Sequence, residues 1–350
     1  MRAGGGCRAP RVTRGVGPGL RGRWHGWGGL LLTALLATQP ACAETLSSET
    51  VDDLASRVFL WPGETGPGSA ALELEQRIVE RSDDPALPDR IVTGVSRPYL
   101  VVHRPARANG RALLVIPGGA YRRIVLDKEG SALVPVFADA LGYTLFVLRY
   151  RLPGEGHEGA RDVSVADAQR AMRVIRDQAD RWGIDPRRIA AMGFSAGGHV
   201  AASLAMRHDE VLHPPMDAID RLDARPQGVL LMYPVIDMGV HAHAVSREHL
   251  LGADPSPGAI ASYSMQNRVR VGMPPVFLLH AADDASVDLA NSLQLYAALR
   301  EAGVPTEMHL YARGGHGFGV RDIGDSSLSL WPRVADAWLR QLDPEEPDEP

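Results

Sequence analysis

One serine lies in a segment whose residue types and spacing can activate a hydroxyl group. The segment GFSAG at residues 193–197 follows the short apolar run Arg188–Met192 and precedes the small-residue stretch His199–Met206. A strand, a tight turn and a helix in this order predict a nucleophile elbow, in which the serine hydroxyl stands exposed above a sheet. Glycine at both ends of the motif lets the strand and helix backbones approach closely. The pattern predicts Ser195 as a nucleophile and the N–H of Ala196 as a donor to a developing oxyanion.

A nucleophilic serine needs a base, and the base needs an acid that orients it. Both residue types follow Ser195 along the chain. Asp284 comes after one apolar, strand-like run, and His316 comes after the last such run, inside the sequence GGHG. The order Ser, Asp, His, each on the loop after its own strand, is the order of α/β-hydrolases. We therefore expect His316 Nε2 to accept the proton of Ser195 while Asp284 holds the Nδ1–H tautomer.

Other residues compete for these roles. Asp283 and Asp237 are alternative acids, and Asp284 is preferred because the valine three residues later can anchor its loop. Asp283 is interpreted as a loop hydrogen-bonding residue. His280 is interpreted as a strand-end residue, and His199 is expected to face the helix behind the elbow.

Two further histidines, His241 and His243, have a spacing compatible with a metal ion. No third ligand lies near them in the sequence, and a zinc site needs at least three protein ligands. We therefore predict no metal site, and nothing in the sequence calls for a cofactor.

The second set of oxyanion donors is expected on the loop that follows an earlier buried strand, Ala112–Ile116. That loop reads PGGAY at residues 117–121. Two glycines allow backbone N–H groups to come close to a scissile carbonyl. Gly119 and Ala120 are the predicted donors, and the loss of one such donor typically lowers turnover by about 100–1000-fold.

The elements that must position these residues form a repeating pattern from residue 90 onward. Wholly apolar runs alternate with helical stretches of 10–15 residues, which predicts an α/β fold with a mostly parallel central sheet covered by helices on both faces. The predicted strands are Tyr99–His103, Ala112–Ile116, Tyr143–Leu148, Arg188–Met192, Gly228–Pro234, Pro275–His280 and Met308–Tyr311; the predicted helices are Gly130–Ala140, Asp167–Trp182, His199–Met206, Leu289–Glu301 and Trp331–Leu342.

The predicted catalytic domain, an α/β-hydrolase fold, covers residues 89–342. Residues 44–88 are interpreted as an irregular N-terminal extension with short helical stretches near Glu49–Arg57 and Ala70–Glu80. The stretch at about 237–273 is rich in His, Gly and Pro, and we expect it to form a small lid over the carboxyl ends of the strands. Residues 343–350 are an acidic, proline-rich tail.

The first 43 residues are typical of a secretory signal peptide. Six Arg and no acidic residue occur among residues 1–27, an apolar run covers Gly28–Thr38, and Ala41-Cys42-Ala43 precedes the expected cleavage site before Glu44. A lipoprotein anchor through Cys42 is the alternative. Eleven apolar residues are too few to span a bilayer, so the protein is predicted to be exported, to the periplasm or beyond, without a stable membrane span.

Removal of this leader changes the charge and cysteine content. Of the 37 basic and 42 acidic side chains, 31 and 42 remain, which gives a net charge of −11. Nucleic-acid binding needs a basic face, so we expect no nucleic-acid partner. Cys7 and Cys42 are the two cysteines of the chain and both lie in the leader, which excludes a thiol enzyme or a cysteine-ligated zinc protein.

The chain resembles the acetylxylan and feruloyl esterase-like α/β-hydrolases, which are exported carbohydrate esterases. Several of its motifs resemble those of that family and occur in the family's order. The resemblance runs from about Ala112 to Leu339 and rests on PGGAY, RYRLP, DAQRAMRVIR, WGIDPRRIAAMGFSAGGHVA, LLMYPVI, HAADDASVDLANS and YARGGHGFG. It implies a triad at Ser195, Asp284 and His316. The chain departs from the family at Ala120, where a third glycine is usual, and at Asp288, where proline commonly follows the valine.

The first hypothesis is therefore a serine carboxylic ester hydrolase that removes acetyl groups from xylan or xylo-oligosaccharides through an acyl-enzyme. A prolyl-oligopeptidase-like serine peptidase would share the elbow and triad, but it usually carries a large propeller, for which residues 44–88 are too short. A non-catalytic binding protein of the same fold would not need a complete Ser, Asp and His set with a glycine-rich oxyanion loop. The expected partner is a small or oligosaccharide ester, with the acyl group, the sugar and the oligomeric state left open.

Overall fold

Short apolar segments of the chain form two sheets. A computed structural model describes residues 45–46, 56–321 and 323–343. In chain order the strands are β1 (Thr45–Leu46), β2 (Arg57–Phe59), β3 (Arg77–Glu80), β4 (Ile91–Thr93), β5 (Tyr99–His103), β6 (Ala112–Ile116), β7 (Ile124–Val125), β8 (Thr144–Arg149), β9 (Ile189–Phe194), β10 (Val229–Met232), β11 (Val276–Ala281) and β12 (Thr306–Tyr311).

The helices alternate with the strands of the second half of the chain. The α-helices are α1 (Val163–Asp177), α2 (Ala179–Trp182), α3 (Ala196–Arg207), α4 (Ala244–Leu251), α5 (Pro257–Tyr263), α6 (Ala290–Glu301) and α7 (Trp331–Gln341). A π-helix covers Val134–Ala140, and 3-10 turns cover Ser131–Leu133, Pro153–Glu155, Ala160–Asp162, Ala218–Arg221, Met265–Arg268 and Ser327–Leu330. Among the described residues, no helix has the length and hydropathy that a membrane span requires.

The main sheet has eight strands in the order β12-β11-β10-β9-β6-β8-β5-β2. The strands from β12 to β8 are parallel, and β5 and β2 extend the other edge in antiparallel pairing. The predicted α/β fold with a mostly parallel central sheet is confirmed. Strands β1, β3, β4 and β7 form a smaller antiparallel sheet.

The central strands are apolar throughout because both faces of the sheet are covered. Successive side chains of a strand point to opposite faces. In β6, Leu113 and Val115 belong to one apolar cluster, and Leu114 and Ile116 belong to the other. Helices α1, α3 and α6 pack on one face, while α7 and the π-helix pack on the other. This covering fixes the sheet, and hence the loops at its edge.

Two interpretations of the N-terminal extension were wrong. The stretch near Ala70–Glu80 contains no helix, and its last residues form strand β3. The boundary at residue 89 also does not separate the extension from the sheet, because β2 pairs with β5 in the main sheet. Trp61 is buried in the core, and its Nε1–H donates to Asp167 Oδ1 of α1 at 2.8 Å.

Some expectations fall on residues that the structure does not describe. The leader at residues 1–43, most of the helical stretch near 49–57, and the tail beyond residue 343 lie outside the described residues. The expected lid at about 237–273 is described in full and contains α4 and α5.

Candidate active site

Ser195 connects strand β9 to helix α3 through a backbone conformation that residues with side chains rarely adopt. Its φ and ψ are 52° and −119°, and such a conformation costs on the order of 1–3 kcal/mol. The backbone holds it in place: the Ser195 N–H donates to Met232 O at 3.0 Å, and its carbonyl accepts from the N–H of Val235 at 3.0 Å. The strain is therefore maintained by the adjacent end of β10, which is the arrangement expected of a nucleophile elbow.

The glycines on either side of Ser195 allow this turn to form. A Cβ at Gly193 would lie 2.3 Å from the carbonyl oxygen of Gly197, and a Cβ at Gly197 would lie 2.1 Å from Ile116 O. Real Cβ atoms do not make such contacts, so any side chain here would push the strand and helix apart. The close backbone approach predicted for both glycines is present.

His316 stands beside the Ser195 hydroxyl. Its Nε2 lies 2.9 Å from Ser195 Oγ, and its Nδ1 lies 2.7 Å from Asp284 Oδ2. A carboxylate only accepts hydrogen bonds, so Nδ1 carries the proton and Nε2 is left to accept from the serine hydroxyl. The structure thus brings the three predicted residues, which are far apart in the sequence, into one hydrogen-bonded chain.

The Asp284 carboxylate is held from several sides. Its Oδ1 accepts the backbone N–H groups of Ser286 and Val287 at 2.8 and 2.9 Å, and His280 Nε2 lies 3.2 Å from Oδ2. Burial alone would raise the pKa of Asp284, but hydrogen bonds from His280 and His316 hold it well below its usual range. Asp284 is therefore ionised at any ordinary assay pH. The buried side chain of Val287 anchors the loop in the expected way.

The two alternative acids make other contacts. Asp283 Oδ1 accepts the N–H of Gly315 at 2.8 Å, which ties the loop of His316 to the end of β11. Asp237 accepts hydrogen bonds from Ser264 Oγ at 3.1 Å and Gln266 Nε2 at 2.8 Å. Within the described residues, neither carboxylate bonds to His316.

The loop after β6 has a strained backbone next to Ser195. Gly119 has φ 131°, and a Cβ there would lie 2.2 Å from Arg123 O. Ala120 and Tyr121 follow with φ 60° and 58°, and each non-glycine residue in this region costs about 1–2 kcal/mol. Among the hydrogen bonds of the described residues, none uses the N–H of Gly119, Ala120 or Ala196. These three groups remain available as donors to an oxyanion.

A buried hydrogen bond links this loop to the elbow helix. Tyr121 Oη lies 2.7 Å from His199 Nδ1, and His199 Nε2 lies 2.7 Å from the carbonyl of Tyr263. Since a carbonyl only accepts, Nε2 carries the proton and the Tyr121 hydroxyl donates to Nδ1. His199 therefore braces the strained Tyr121 against helix α3 and against α5 of the expected lid. Its backbone N–H donates to Ser195 O at 3.4 Å, whereas its imidazole makes no hydrogen bond to Ser195 among the described residues.

The buried His199 makes the stability depend on pH. Burial lowers its pKa from 6.5 to about 4. Between these values the unfolded chain binds a proton that the folded protein excludes, so the free energy of unfolding falls as pH falls from about 6.5 to about 4. The loss from this group is about 3 kcal/mol. Urea unfolding between pH 7.5 and 4.5 measures it.

A matched variant isolates this contribution from that of other groups. His199→Gln retains a hydrogen-bonding side chain but does not titrate, so its free energy of unfolding is expected to vary less with pH than that of the wild type. Parallel curves for the two proteins over the whole range would show that His199 does not cause the loss.

The Ser195 hydroxyl borders a cavity of about 260 Å³. The other described residues that line it are Arg81, Gly119, Ala120, Arg123, Val125, Lys128, Glu129, His243, Ser286, His316 and Gly317. Most of these residues have a polar or charged side chain, and none of them is Phe, Tyr or Trp. Sequence reasoning missed Glu129 and the place of His243 in this wall. For Glu129 the only signal was a group of charged residues, Asp127-Lys128-Glu129, that follows the oxyanion loop closely.

The imidazole rings of the two lid histidines, His241 and His243, have different hydrogen-bond partners. His241 Nδ1 lies 3.0 Å from Asp288 Oδ2, and His243 Nδ1 lies 2.8 Å from Ser246 Oγ at the start of α4. In the described part of the chain, no group of three or more His, Cys, Asp or Glu side chains is arranged to hold a metal ion.

Comparison with known proteins yields a family and several relatives. Residues 100–299 match the family model BD-FAE. The chain is 34% identical over 248 residues to the acetylxylan esterase of Xylanibacter ruminicola, covering 69% of this chain and 46% of that protein. It is 36% identical over 219 residues to endo-1,4-beta-xylanase B of Butyrivibrio fibrisolvens, covering 63% of this chain and 34% of that protein. The chain thus spans about a third to a half of the length of these curated relatives.

Solved structures show the same relationship. The acetyl ester-xyloside bifunctional hydrolase from Caldicellulosiruptor lactoaceticus is 30% identical with a TM-score of 0.65, covering 82% of this chain and 96% of that one. Esterase Est2 of Thermogutta terrifontis, solved with propionate bound, is 25% identical with a TM-score of 0.58, covering 72% and 92%. The family model covers more than half of the 350 residues, and the predicted resemblance is confirmed. The chain belongs to the BD-FAE family of α/β-hydrolases.

Proposed function

We propose that this protein is a serine carboxylic ester hydrolase that removes acetyl groups from xylan or xylo-oligosaccharides. The observation that carries the proposal is the hydrogen-bonded chain from Asp284 through His316 to Ser195, with Ser195 in a strained turn beside an open cavity. An ionised carboxylate, an imidazole in the required tautomer and a hydroxyl that borders the cavity are the groups that acyl transfer needs.

The reaction follows from the positions of these groups. Ser195 Oγ attacks the ester carbonyl while His316 Nε2 takes its proton, and the N–H groups of Gly119, Ala120 and Ala196 receive the oxyanion. The tetrahedral intermediate collapses, His316 returns the proton to the leaving sugar hydroxyl, and an acetyl-serine remains. Water then attacks this ester with His316 as the base, which releases acetate and restores Ser195.

The wall of the cavity supports a small acyl group. Its volume of about 260 Å³ lies below the usual range of sites for drug-sized ligands. A feruloyl group is a large aromatic that favours stacking against other aromatic rings, whereas no Phe, Tyr or Trp lines the cavity among the described residues. The names of two relatives, an acetylxylan esterase and an acetyl ester-xyloside hydrolase, point to the same acyl group and sugar.

Ester substrates of different acyl groups test the proposal directly. We expect acetate release from acetylated xylo-oligosaccharides and from p-nitrophenyl acetate. With the leaving group held the same, kcat/KM for p-nitrophenyl ferulate should be lower than for p-nitrophenyl acetate by at least about tenfold, because a mismatched acyl group costs about 1–3 kcal/mol. Release of ferulate without acetate would overturn the choice of acyl group. Cleavage of a peptidyl p-nitroanilide with no cleavage of any ester would overturn the esterase function.

We also propose that the protein is exported and that cleavage of a signal peptide leaves a mature chain that begins at Glu44. The support is the sequence of residues 1–43, with a basic segment, an apolar run and an Ala-Cys-Ala site before Glu44. A substrate such as xylan is a polymer outside the cell, so export and substrate support one another.

A further inference from the structure

A second carboxylate lies in the wall of the active-site cavity, and the reaction described above does not use it. Glu129 is 4% exposed and borders the same cavity as Ser195 and His316. Each of its oxygens accepts one hydrogen bond. Oε2 accepts the backbone N–H of Gly118 at 2.7 Å, and Oε1 accepts the hydroxyl of Tyr233 at 3.0 Å. The two donors belong to different loops of the site.

On one side, Glu129 holds the loop that carries the oxyanion donors. Gly118 directly precedes Gly119 and Ala120, and it packs tightly against the elbow. A Cβ at Gly118 would lie 2.7 Å from Phe194 O, 2.8 Å from Ser195 Cβ and 3.0 Å from Glu129 Oε2. At this spacing, a displacement of Gly118 also displaces the N–H groups that follow it. The hydrogen bond from Gly118 therefore sets the distance between the oxyanion loop and Ser195.

On the other side, Glu129 reaches the loop of the catalytic histidine through Tyr233. The Tyr233 hydroxyl accepts the N–H of Gly319 at 3.2 Å, three residues after His316. The rings of Tyr233 and His316 meet edge to face, with their centroids 5.0 Å apart. Tyr233 itself has φ 38°, and its N–H donates to Leu279 O. The tyrosine is thus fixed against the imidazole from three directions.

The cost of burying this carboxylate indicates a purpose other than stability. A buried carboxylate without a close cation costs several kcal/mol unless hydrogen bonds offset the loss of water. The neighbouring Asp127 has such a cation, since Arg90 Nη2 lies 2.7 Å from its Oδ1. The two hydrogen bonds that Glu129 accepts come from neutral donors. Burial raises the pKa of Glu129, while the Gly118 hydrogen bond and the Coulombic influence of His316 and Lys128 oppose that rise.

We propose that Glu129 is a positioning residue. Its carboxylate holds the oxyanion loop through Gly118 and the loop of His316 through Tyr233, and so fixes the positions of both loops relative to Ser195. The proposal rests on the proposed function, because it assigns a role in the same acyl transfer. Glu129 makes no hydrogen bond to Ser195 or His316 in the described part of the chain, so it acts through its two neighbours.

Such a role predicts a specific kinetic pattern. The oxyanion appears only in the transition state, so misplaced donors lower kcat and leave KM unchanged. For p-nitrophenyl acetate, Glu129→Ala is expected to lower kcat by roughly 100-fold, in the range of a lost oxyanion donor. Glu129→Gln keeps one accepting oxygen and should lose only about tenfold. Tyr233→Phe retains the ring beside His316 but breaks the link, and should also lower kcat without raising KM.

Two measurements separate positioning from a loss of folded protein. Titration with diethyl p-nitrophenyl phosphate counts the active serines, and kcat is expressed per titrated site. A trifluoromethyl ketone, whose adduct places an oxyanion in the hole, is expected to bind the Glu129 variants more weakly by the factor by which kcat/KM falls. Glu155→Gln is the matched control. Glu155 Oε1 accepts the N–H of Gly94 at a distance of 2.7 Å, and neither residue lines the active-site cavity. It should retain kcat and inhibitor affinity.

The outcomes are distinct. Glu129 variants whose kcat per titrated site and ketone affinity equal those of the wild type would overturn the positioning role, as would a rise in KM at constant kcat. If Glu129→Ala does not fold, Glu129→Gln and Tyr233→Phe decide by the same two measurements. A wild-type protein that neither hydrolyses p-nitrophenyl acetate nor reacts with the phosphate would instead refute the proposed function.

Discussion

Ser195→Ala is expected to lower kcat for acetyl ester hydrolysis by about a million-fold, the loss found when the nucleophile of a serine triad is removed. The reason is the geometry at this residue. No other residue in the described part of the chain combines a strained backbone at the cavity wall with a hydrogen bond of 2.9 Å to an imidazole nitrogen. Acetate release under saturating acetylated xylo-oligosaccharide measures the loss, since at saturation the rate reports kcat alone.

A serine on the helix that follows Ser195 provides the control. Ser203 lies in α3, and its hydroxyl donates to Met265 Sδ at 3.2 Å, away from the cavity. Ser203→Ala should keep kcat within about threefold, because it removes one buried hydroxyl and its hydrogen bond to a sulfur, a loss of about 1 kcal/mol in stability, and leaves the cavity lining unchanged. Binding of unreactive xylo-oligosaccharide should be the same in Ser195→Ala and the wild type. Residual acetate release by Ser195→Ala near the wild-type rate would refute the serine mechanism.

The sequence is most informative where local pattern and tertiary structure agree. Strands β5 and β6 have the predicted bounds, Tyr99–His103 and Ala112–Ile116. Short runs of consecutive apolar residues are typical of strands that are buried on both faces of a sheet. The stretch at Arg77–Glu80 was predicted as helix, yet it forms β3. Its pairing with β4 is what makes it a strand, and pairing between separate segments is not encoded in the local pattern.

The site shows the same limit. Ser195 and His316 can be identified from the sequence because glycines surround them, and the chain order suggests the acid. Glu129 cannot be identified in this way, because its contacts are with Gly118, which is 11 residues away, and with Tyr233, which is 104 residues away. Only the fold brings these three residues together. Similarly, the sequence offers adjacent carboxylates at Asp283 and Asp284, and the direction of each side chain decides which one meets the imidazole.

Asp284→Asn is expected to lower kcat by about 10⁴-fold, the cost of the wrong histidine tautomer in a serine triad. The amide that replaces the carboxylate can still accept the N–H groups of Ser286 and Val287 at Oδ1. Its NH₂ group would then face His316 Nδ1, where it donates and stabilises the tautomer with the proton on Nε2. In that tautomer Nε2 cannot accept the proton of Ser195. In the wild type His280 Nε2 lies 3.2 Å from Asp284 Oδ2. In the variant the NH₂ group would face this Nε2–H, so that two hydrogen-bond donors would meet.

Asp283→Asn is the matched control, because it makes the same chemical change one residue away. Asp283 Oδ1 accepts the N–H of Gly315, and the amide oxygen of asparagine can accept the same bond. We expect kcat to remain within about tenfold of the wild type, because this bond only steadies the loop of His316. The pKa of Asp284 is held well below its usual range by the hydrogen bonds from His280 and His316, so the wild-type carboxylate is ionised throughout an assay range of pH 6 to 8. A large loss in Asp283→Asn with near-normal activity in Asp284→Asn would transfer the orienting role to Asp283. It would also show that the 2.7 Å contact between Asp284 and His316 is not the one that catalysis uses.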